Sequence, residues 1–148
     1  MLKETLQSLF KRDLAKLKEE IEAYRTESAI WLVEAGIANS AGNLCLHLVG
    51  NLNTYIGAVI VKTDYVRQRE LEFSLKGIPR DELVQKIEDT IVMIDEVMSN
   101  FTAEQFDQEY ALEVLGGKTT TEYFLIHLAA HLSYHLGQVN YHRRLLDK

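Results

Sequence analysis

The sequence contains no cluster of lysine or arginine residues, and this absence bears on its partners. The chain has 148 residues and a formal net charge of −6. Proteins that bind nucleic acid need a basic face to neutralise the phosphate groups. We therefore expect no nucleic-acid partner.

Cysteine and proline are almost absent, with one residue of each. Cys45 alone can form neither an intrachain disulfide nor a cysteine-based zinc site, which favours a reducing, cytoplasmic compartment. One proline, with glycines concentrated near apparent breaks, favours long helices over a β fold with many turns. The N-terminus lacks the apolar stretch of a signal peptide, and no segment approaches the roughly 20 apolar residues that span a bilayer. We therefore expect no membrane partner.

Several motifs of known chemistry are also missing. There is no HExxH pattern, so the protein is not a zincin protease. No glutamate stands three residues before a histidine, which excludes the ferritin-type di-iron arrangement. The chain has no GxxxxGK[ST] loop, no GxSxG elbow and no CxxCH haem attachment site. Nucleotide, serine-hydrolase and c-type haem chemistry are thereby disfavoured.

Apolar residues make up 47% of the chain, enough for one domain, residues 1–148, with a full core. Helical periodicity predicts a first helix that runs to about Tyr24. A second helix should begin after the N-cap Ser40 and continue to about Val61. A third starts near Pro79. The fourth opens with 119-TTTE-122, a capping-box pattern, and runs to about Leu146. We predict an all-α four-helix bundle with long connections after helices 1 and 2.

Three stretches between these helices have no clean helical period, and we predict them to be irregular. The first, 25-RTESAIWLVEAGIANSAGN-43, contains the single tryptophan. The second, 62-KTDYVRQRELEFSLKG-77, is polar and aromatic, and the third, 100-NFTAEQFDQEYALEVLGGK-118, ends on paired glycines.

The fourth predicted helix carries a polar stripe at intervals of three or four residues: His127, His131, His135, Gln138 and His142. Residues four apart lie on nearly the same helix face. An apolar row runs beside this stripe and should enter the core: Leu128, Leu132, Leu136 and Val139. The second helix has a matching polar row: Asn43, His47 and Asn51. Histidines inside apolar frames on two helices indicate a shared polar site.

A metal ion is the physical candidate for that site. Histidines at i and i+4 have Cβ atoms about 5–6 Å apart, so two imidazoles can converge on one ion. A third imidazole from a facing helix would complete a three-histidine site with one open position. Zinc, nickel, iron and copper all suit imidazole ligands. On spacing alone, three histidines compete for two places on helix 4, and His47 has the alternative of an ordinary hydrogen-bonded core residue.

Three segments resemble one known family, the DinB/YfiT-like superfamily of metal-binding four-helix bundles, in one of its uncharacterised branches. They are 44-LCLHLVGNL-52, 66-VRQRELEF-73 and 127-HLAAHLSYHLGQ-138. The resemblance implies a metal triad of His47, His131 and His135 that binds zinc or nickel. It also implies a homodimer that acts on a small-molecule substrate. Related proteins include thiol S-transferases, which use a low-molecular-weight thiol, and metal-dependent hydrolases, so the site should activate a thiol or water.

Other polar residues are candidates for the surroundings of the metal site. Asn51, His127 and Gln138 are candidates for a second shell or for the pocket wall, although two of them are equally suited to ordinary interhelical hydrogen bonds. Arg67, Arg69 and Glu70 are candidates for binding an anionic thiol; the alternative is a solvated, ion-paired loop. No general base is evident, because the histidine stripe contains no carboxylate, so one would have to come from a loop such as 64-DYVRQRELEF-73. A non-catalytic metal- or ligand-binding stress protein is the alternative function.

Overall fold

The structure is a computed structural model that describes residues 1–148, and it confirms the all-α prediction. Six α-helices are present: α1 Leu2–Ala23, α2 Ala41–Leu52, α3 Arg69–Ser74, α4 Arg80–Asn100, α5 Ala103–Asp107 and α6 Thr121–Leu146. A 3₁₀ turn covers Glu27–Trp31, and a π-helical segment, Asn53–Ala58, extends α2. The only β-type contacts are two isolated bridges, Glu109 with Thr120 and Val114 with Gly117.

The four longest helices contact one another in a closed ring. Helix α1 packs against α4 and α6, and α2 packs against the same two neighbours from the other side. Each helix turns an apolar row inward, as its 3–4-residue spacing requires. Residues with no or almost no exposed surface in this core include Phe10, Leu14 and Leu17 of α1, Leu48 and Leu52 of α2, Leu83 and Ile87 of α4, and Leu125, Leu128 and Leu132 of α6.

Helix α2 is the most buried element and begins where the sequence predicts. The Ser40 hydroxyl accepts a hydrogen bond from the backbone N–H of Asn43 at 3.1 Å, which is an ordinary N-cap. Every residue from 41 to 52 is buried. The π-helical turn that follows carries Tyr55. Such turns shift the register of the side chains beyond them and recur at functional sites.

Two of the connections predicted to be irregular contain short helices. Helix α3 lies within 62–77, and α5 lies within 100–118. Helix α3 has only six residues, too few for a period to show in the sequence. Tertiary contacts hold it: the Asn43 side chain donates to the carbonyls of Glu72 at 2.9 Å and of Leu75 at 2.8 Å. Helical spacing groups Asn43 with His47 and Asn51, and nothing in that spacing indicates a contact with α3.

The predicted capping box at the start of α6 is wrong by one residue. Thr120 is the N-cap, and its hydroxyl accepts from the backbone N–H of Tyr123 at 3.2 Å. Thr119 does not cap the helix; its backbone carbonyl accepts a hydrogen bond from the backbone N–H of Tyr110 at 2.9 Å. The end of α6 at Leu146 agrees with the prediction. None of the helices combines the length and the apolar character needed to cross a bilayer.

Candidate metal centre

Three histidines meet where α2 faces α6. The Nε2 atom of His131 lies 3.3 Å from Nε2 of His47 and 3.2 Å from Nε2 of His135. All three ligand atoms lie within 4.8 Å of one another, close enough to hold one metal ion. His47 is buried, and the two α6 histidines are half-buried. The fold therefore joins the i, i+4 pair of α6 to the single histidine of α2.

The outer nitrogen of His47 is fixed by a carboxylate. Its Nδ1 lies 3.1 Å from Oε1 of Glu72, a residue that is 5% exposed. Because a carboxylate only accepts hydrogen bonds, Nδ1 of His47 carries the proton and Nε2 presents a lone pair. This carboxylate–histidine pair is the arrangement that commonly orients a metal-binding imidazole.

The outer nitrogen of His135 is fixed by an amide. Its Nδ1 lies 2.7 Å from Oε1 of Gln138, three residues further along α6. The amide oxygen accepts, so Nδ1 is again the protonated nitrogen and Nε2 again presents a lone pair. Gln138 is itself exposed, and its contact with His135 is made at the surface end of the triad.

The three Nε2 atoms have too few hydrogens to satisfy one another. Nε2 of His131 can donate at most one hydrogen bond, yet it faces two lone pairs. The Nδ1 atom of His131 is buried and has no hydrogen-bond partner. A cation placed among the three Nε2 atoms removes the shortage at those atoms, and Nδ1 of His131 then carries that ring's proton. Nitrogens at about 2.0–2.1 Å from a tetrahedral ion stand about 3.3–3.4 Å apart, which agrees with the two separations given above. The residues therefore fit a metal.

The electrostatic environment keeps the two α6 histidines of the triad in the neutral form that binds metals. Burial, reinforced by the neighbouring His135 and His47, lowers the pKa of His131 to about 4. Burial also lowers the pKa of His135, and the hydrogen bond to Gln138 offsets only part of that effect. Imidazole binds a metal only when it is deprotonated, so both α6 ligands are available at neutral pH.

Glu72 is held as an anion by an arginine. Arg67 donates to it twice, from Nε at 2.8 Å and from Nη2 at 2.9 Å. Burial alone would raise the pKa of Glu72, but the hydrogen bonds from His47 and Arg67 outweigh burial and lower it. Helix α2 leaves room for this carboxylate only because residue 50 is glycine: a methyl group there would overlap Oε2 of Glu72 and lie 2.7 Å from its Cδ.

A cavity of about 310 Å³ opens beside the triad. Two histidines of the triad form part of its wall, together with His127, two aromatic rings, two arginines and a turn before α6. The lining residues are His47, Asn51, Tyr55, Arg67, Arg69, Glu113, Val114, Leu115, Phe124, His127, Leu128 and His131. Asn51 is 7% exposed, and its Oδ1 has no partner in the protein. The volume falls at the lower end of the range for small-molecule sites.

A second depression is larger but lacks comparable chemistry. It measures about 850 Å³ and lies between the end of α1 and the start of α4. Its walls are almost wholly charged or polar and include Glu22, Arg25 and Asp81, with no histidine among them. The cavity beside the triad is therefore the better candidate for a functional site.

The structure separates the other predicted residues by position. His127 stacks between Phe124 and His131, with ring centroids 5.8 Å and 6.2 Å away, and so lines the cavity without joining the triad. Arg67 and Arg69 also line the cavity. Glu70 is exposed and is not among the lining residues. The carboxylate that approaches the site is Glu72 instead.

His142 and Cys45, two residues of interest in the sequence, lie outside the triad and stabilise the fold. His142 is 6% exposed and joins the Tyr24 hydroxyl, at 2.7 Å, to the carbonyl of Leu32, at 2.9 Å. Cys45 is fully buried, and burial raises the pKa of its thiol to about 12. A thiol in that state is a packing residue and not a nucleophile.

Glu72 is the site residue that sequence reasoning did not identify. The polar stretch 64–73 was expected to supply a carboxylate, but it contains Asp64, Glu70 and Glu72, and nothing in the pattern distinguishes them. The informative signal was Gly50, a glycine inside a helix one turn from His47, because such a glycine commonly marks a close approach.

The chain belongs to the family described as protein of unknown function DUF1572, which matches it over residues 3–148. No curated protein matches the chain.

Proposed function

We propose that this protein is a metal-dependent enzyme whose three-histidine site activates a thiol or water, with thiol S-transferase-like chemistry ahead of hydrolysis. One observation carries the proposal: Nε2 of His131 lies 3.3 Å and 3.2 Å from Nε2 of His47 and of His135. A buried group of lone pairs without matching donors is unfavourable unless a cation is shared among them.

We place the family in the DinB/YfiT-like superfamily of four-helix bundles. The closed ring of contacts among α1, α4, α2 and α6 supports this assignment. So does the distribution of ligands, with one histidine on the second long helix and an i, i+4 pair on the last. Long connections after α1 and α2 are a further point of agreement with the resemblance seen in the sequence.

The residues of the chain have distinct tasks at this site. His47, His131 and His135 would hold a divalent ion, zinc or nickel by the resemblance, and Glu72 and Gln138 orient two of the rings. When bound, such an ion supplies Lewis acidity that lowers the pKa of a thiol or of water. The cavity beside the triad would bind the small-molecule substrate, with Asn51 available for a polar contact.

The two arginines of the cavity favour an anionic co-substrate. Arg67 pairs with Glu72, whereas Arg69 pairs with no carboxylate and lies over the ring of Phe73 at 5.6 Å. An unpaired guanidinium at a cavity wall is a natural contact for a carboxylate or phosphate group. Tyr55 and Phe124 provide the apolar surface beside it.

Metal analysis of the untagged, as-purified protein tests the first part of this proposal. We expect close to one equivalent of a transition metal in the native protein and a large loss in His131→Ala and His135→Ala. His127→Ala is the matched control, because it removes an imidazole from the same helix face that is not one of the three proposed ligands. Negligible metal in the native protein, unchanged in the variants, would refute the site.

A non-catalytic metal- or ligand-binding protein is the second candidate, and one observation favours it. The carboxylate that contacts the triad is not a free general base, because Glu72 is engaged by Arg67 and His47. Absorption spectra of the cobalt-substituted protein separate the two functions. A new charge-transfer band on adding a thiol supports the enzyme, whereas an unchanged spectrum with every thiol and no turnover of activated esters supports the binder.

A further inference from the structure

Four apolar residues line the cavity beside the triad in two pairs. Phe124 and Leu128 lie one helical turn apart on α6 and are buried. Val114 and Leu115 are neighbours in the turn that precedes α6. We call these four residues the apolar wall. Leu115 differs from the others, because it is 55% exposed although it lines the cavity. It therefore lies where the cavity meets solvent.

Leu115 has a backbone conformation that leucine rarely adopts. Val114 and Gly117 exchange backbone hydrogen bonds of 3.1 Å in both directions, which leaves Leu115 and Gly116 as the two central residues of a tight turn. Their φ angles are +55° and +84°. Positive φ at both central positions is the pattern of a type I′ turn, which favours asparagine, aspartate or glycine. Leucine is strained there, because its Cβ crowds the backbone in the left-handed region.

Nothing within the protein accounts for this strained leucine. Core packing does not, since more than half of the side chain is exposed. The turn itself would form with asparagine or glycine at lower cost. Its base is held in place: the N–H of Tyr110 donates to the carbonyl of Thr119 at 2.9 Å, and the Tyr110 hydroxyl donates to the carbonyl of Tyr55 at 2.6 Å. Strained residues held by their surroundings are concentrated where ligands bind.

We propose that the apolar wall is a subsite for the apolar body, aromatic or branched aliphatic, of the small-molecule substrate, and that Leu115 determines specificity for it. The inference rests on the proposed function for the reaction and adds the class of substrate. His131 lines the same cavity, so a molecule bound there lies beside the triad.

The size of the cavity excludes a segment of another protein as the occupant. One turn of an α-helix, about 10–12 Å in diameter and 5.4 Å long, takes up on the order of 500 Å³. The cavity measures about 310 Å³, which is enough for a small molecule. A ligand that covers Leu115 would remove apolar surface from water on both partners, and this burial favours binding.

The two reactants of the proposed transfer reaction would bind to different parts of the cavity lining. The anionic co-substrate would contact Arg69, and the apolar substrate would contact Leu115. Phe124 gives the apolar wall a rigid surface, because its ring packs edge to face on Tyr55 at 5.2 Å and lies 4.5 Å from the ring of Tyr110. A binding surface that is already ordered loses little entropy when a ligand binds.

Binding of benzyl alcohol to the as-purified, full-length protein, followed by ¹H–¹⁵N NMR, tests the subsite. This uncharged probe carries an aromatic ring and forms no ion pair with Arg69. We expect the amide signals of Gly116 and Gly117 to shift with a dissociation constant of about 1–20 mM, as expected for a ligand of this size. Methanol has the hydroxyl group without the ring, and it should produce no saturable shift of these signals.

Two substitutions separate the apolar contact from the backbone strain. Leu115→Ala and Leu115→Asn should each weaken the binding of benzyl alcohol at least about threefold, because both remove the apolar side chain. Asparagine tolerates positive φ and alanine does not, so only Leu115→Asn should raise the melting temperature, by about 2–4 °C. Leu112→Ala is the matched control. Leu112 is 46% exposed near the same turn but does not line the cavity, so this variant should bind the probe as the native protein does.

The proposal is overturned if both Leu115 variants bind benzyl alcohol as the native protein does, or if Leu112→Ala weakens binding equally. Absence of saturable shifts in the native protein up to about 100 mM overturns it as well. Repeating the titration in chelator separates this inference from the proposed function. A protein without metal that binds the probe through Leu115 retains the subsite and lacks the metal-dependent function. A protein that holds metal in the triad but does not bind the probe lacks the subsite alone.

Discussion

Replacing Gly50 by alanine should destabilise this protein, although the same change inside a helix ordinarily stabilises. Gly50 lies on α2, one turn after His47, where every residue is buried. An added methyl group would overlap Oε2 of Glu72 and stand 2.7 Å from its Cδ. The backbone of α2 cannot retreat, since it is packed against α4 and α6. The Glu72 side chain must therefore leave its position.

The magnitude follows from the bonds that Glu72 would lose. It accepts hydrogen bonds from Nε and Nη2 of Arg67 at 2.8 Å and 2.9 Å and from His47 at 3.1 Å. Hydrogen bonds to charged groups contribute about 1.5–3 kcal/mol each, and water can replace part of the loss at Arg67. We take about 2–4 kcal/mol for the displaced carboxylate. Alanine returns about 1 kcal/mol through helix propensity. The free energy of unfolding should fall by about 1–3 kcal/mol.

Urea unfolding of the metal-free protein in chelator measures this quantity without a contribution from metal binding. The matched control is the same substitution in a Glu72→Ala background, where the overlap no longer exists. There Gly50→Ala should raise the free energy of unfolding by about 0.5–1 kcal/mol. The two backgrounds together form a double-mutant cycle whose coupling reports the contact between residues 50 and 72.

Two results would refute this reasoning. One is a stabilisation by Gly50→Ala in the native background, as expected of a helical glycine that nothing approaches. The other is an equal effect in both backgrounds, which would mean that Gly50 and Glu72 are not coupled. If the contact exists, Gly50→Ala should also weaken metal binding by about 10–100-fold, because His47 loses the group that orients it.

Three further predictions concern the metal, a helix cap and a carboxylate. Zinc at about 100 times its dissociation constant should stabilise the native protein by about 2.7 kcal/mol, which raises the melting temperature by about 5–10 °C in calorimetry. His131→Ala should show no such shift. A shift of the same size in that variant would exclude the triad as the zinc site. Thr120→Ala should lower the free energy of unfolding by about 1 kcal/mol in urea titrations, whereas Thr119→Ala should change it by less than about 0.5 kcal/mol. A larger loss for Thr119→Ala than for Thr120→Ala would instead support Thr119 as the N-cap. Burial alone would raise the pKa of Glu20, but hydrogen bonds from Arg143 and Asn140 outweigh it and lower the pKa below its ordinary 4.5. The stabilisation by the Glu20 carboxylate is complete above about pH 4.5 and is lost as the pH falls through the lowered pKa. The difference in free energy of unfolding between the native protein and Glu20→Gln should therefore shrink as the pH falls below about 4.5. A difference that does not change with pH would contradict the prediction.

Much of the fold could be predicted because the long helices have strong local signals. Apolar spacing predicted the four long helices and the inward row of α6. The hydroxyl of Ser40 and the ring of Pro79 mark helix starts by local chemistry alone. Thr119 and Thr120 are a contrary case. Either threonine can cap a helix, and the backbone bond between Tyr110 and the carbonyl of Thr119, which is non-local, decides between them.

The candidate site also has one part that could be predicted from the sequence and one part that could not. The interval of four residues between His131 and His135 is a local property of a helix, so their convergence could be predicted. Which α6 histidines would meet His47 depends on how α2 and α6 are aligned. The tertiary structure brings His131 and His135 to His47 and sets His127 into the cavity wall. The resemblance to a known family had implied the same three residues.

By itself, the sequence determined that this protein is helical, where α2 begins and α6 ends, and which helix faces carry histidine. These properties depend on the intervals and caps within single segments. Only the tertiary structure decided that Glu72, and not Glu70, reaches His47, that Gly50 makes room for it, and that Leu115 lines the cavity beside the triad. Each of these depends on the distance between residues far apart in the chain, and that distance is fixed by packing and not by local spacing.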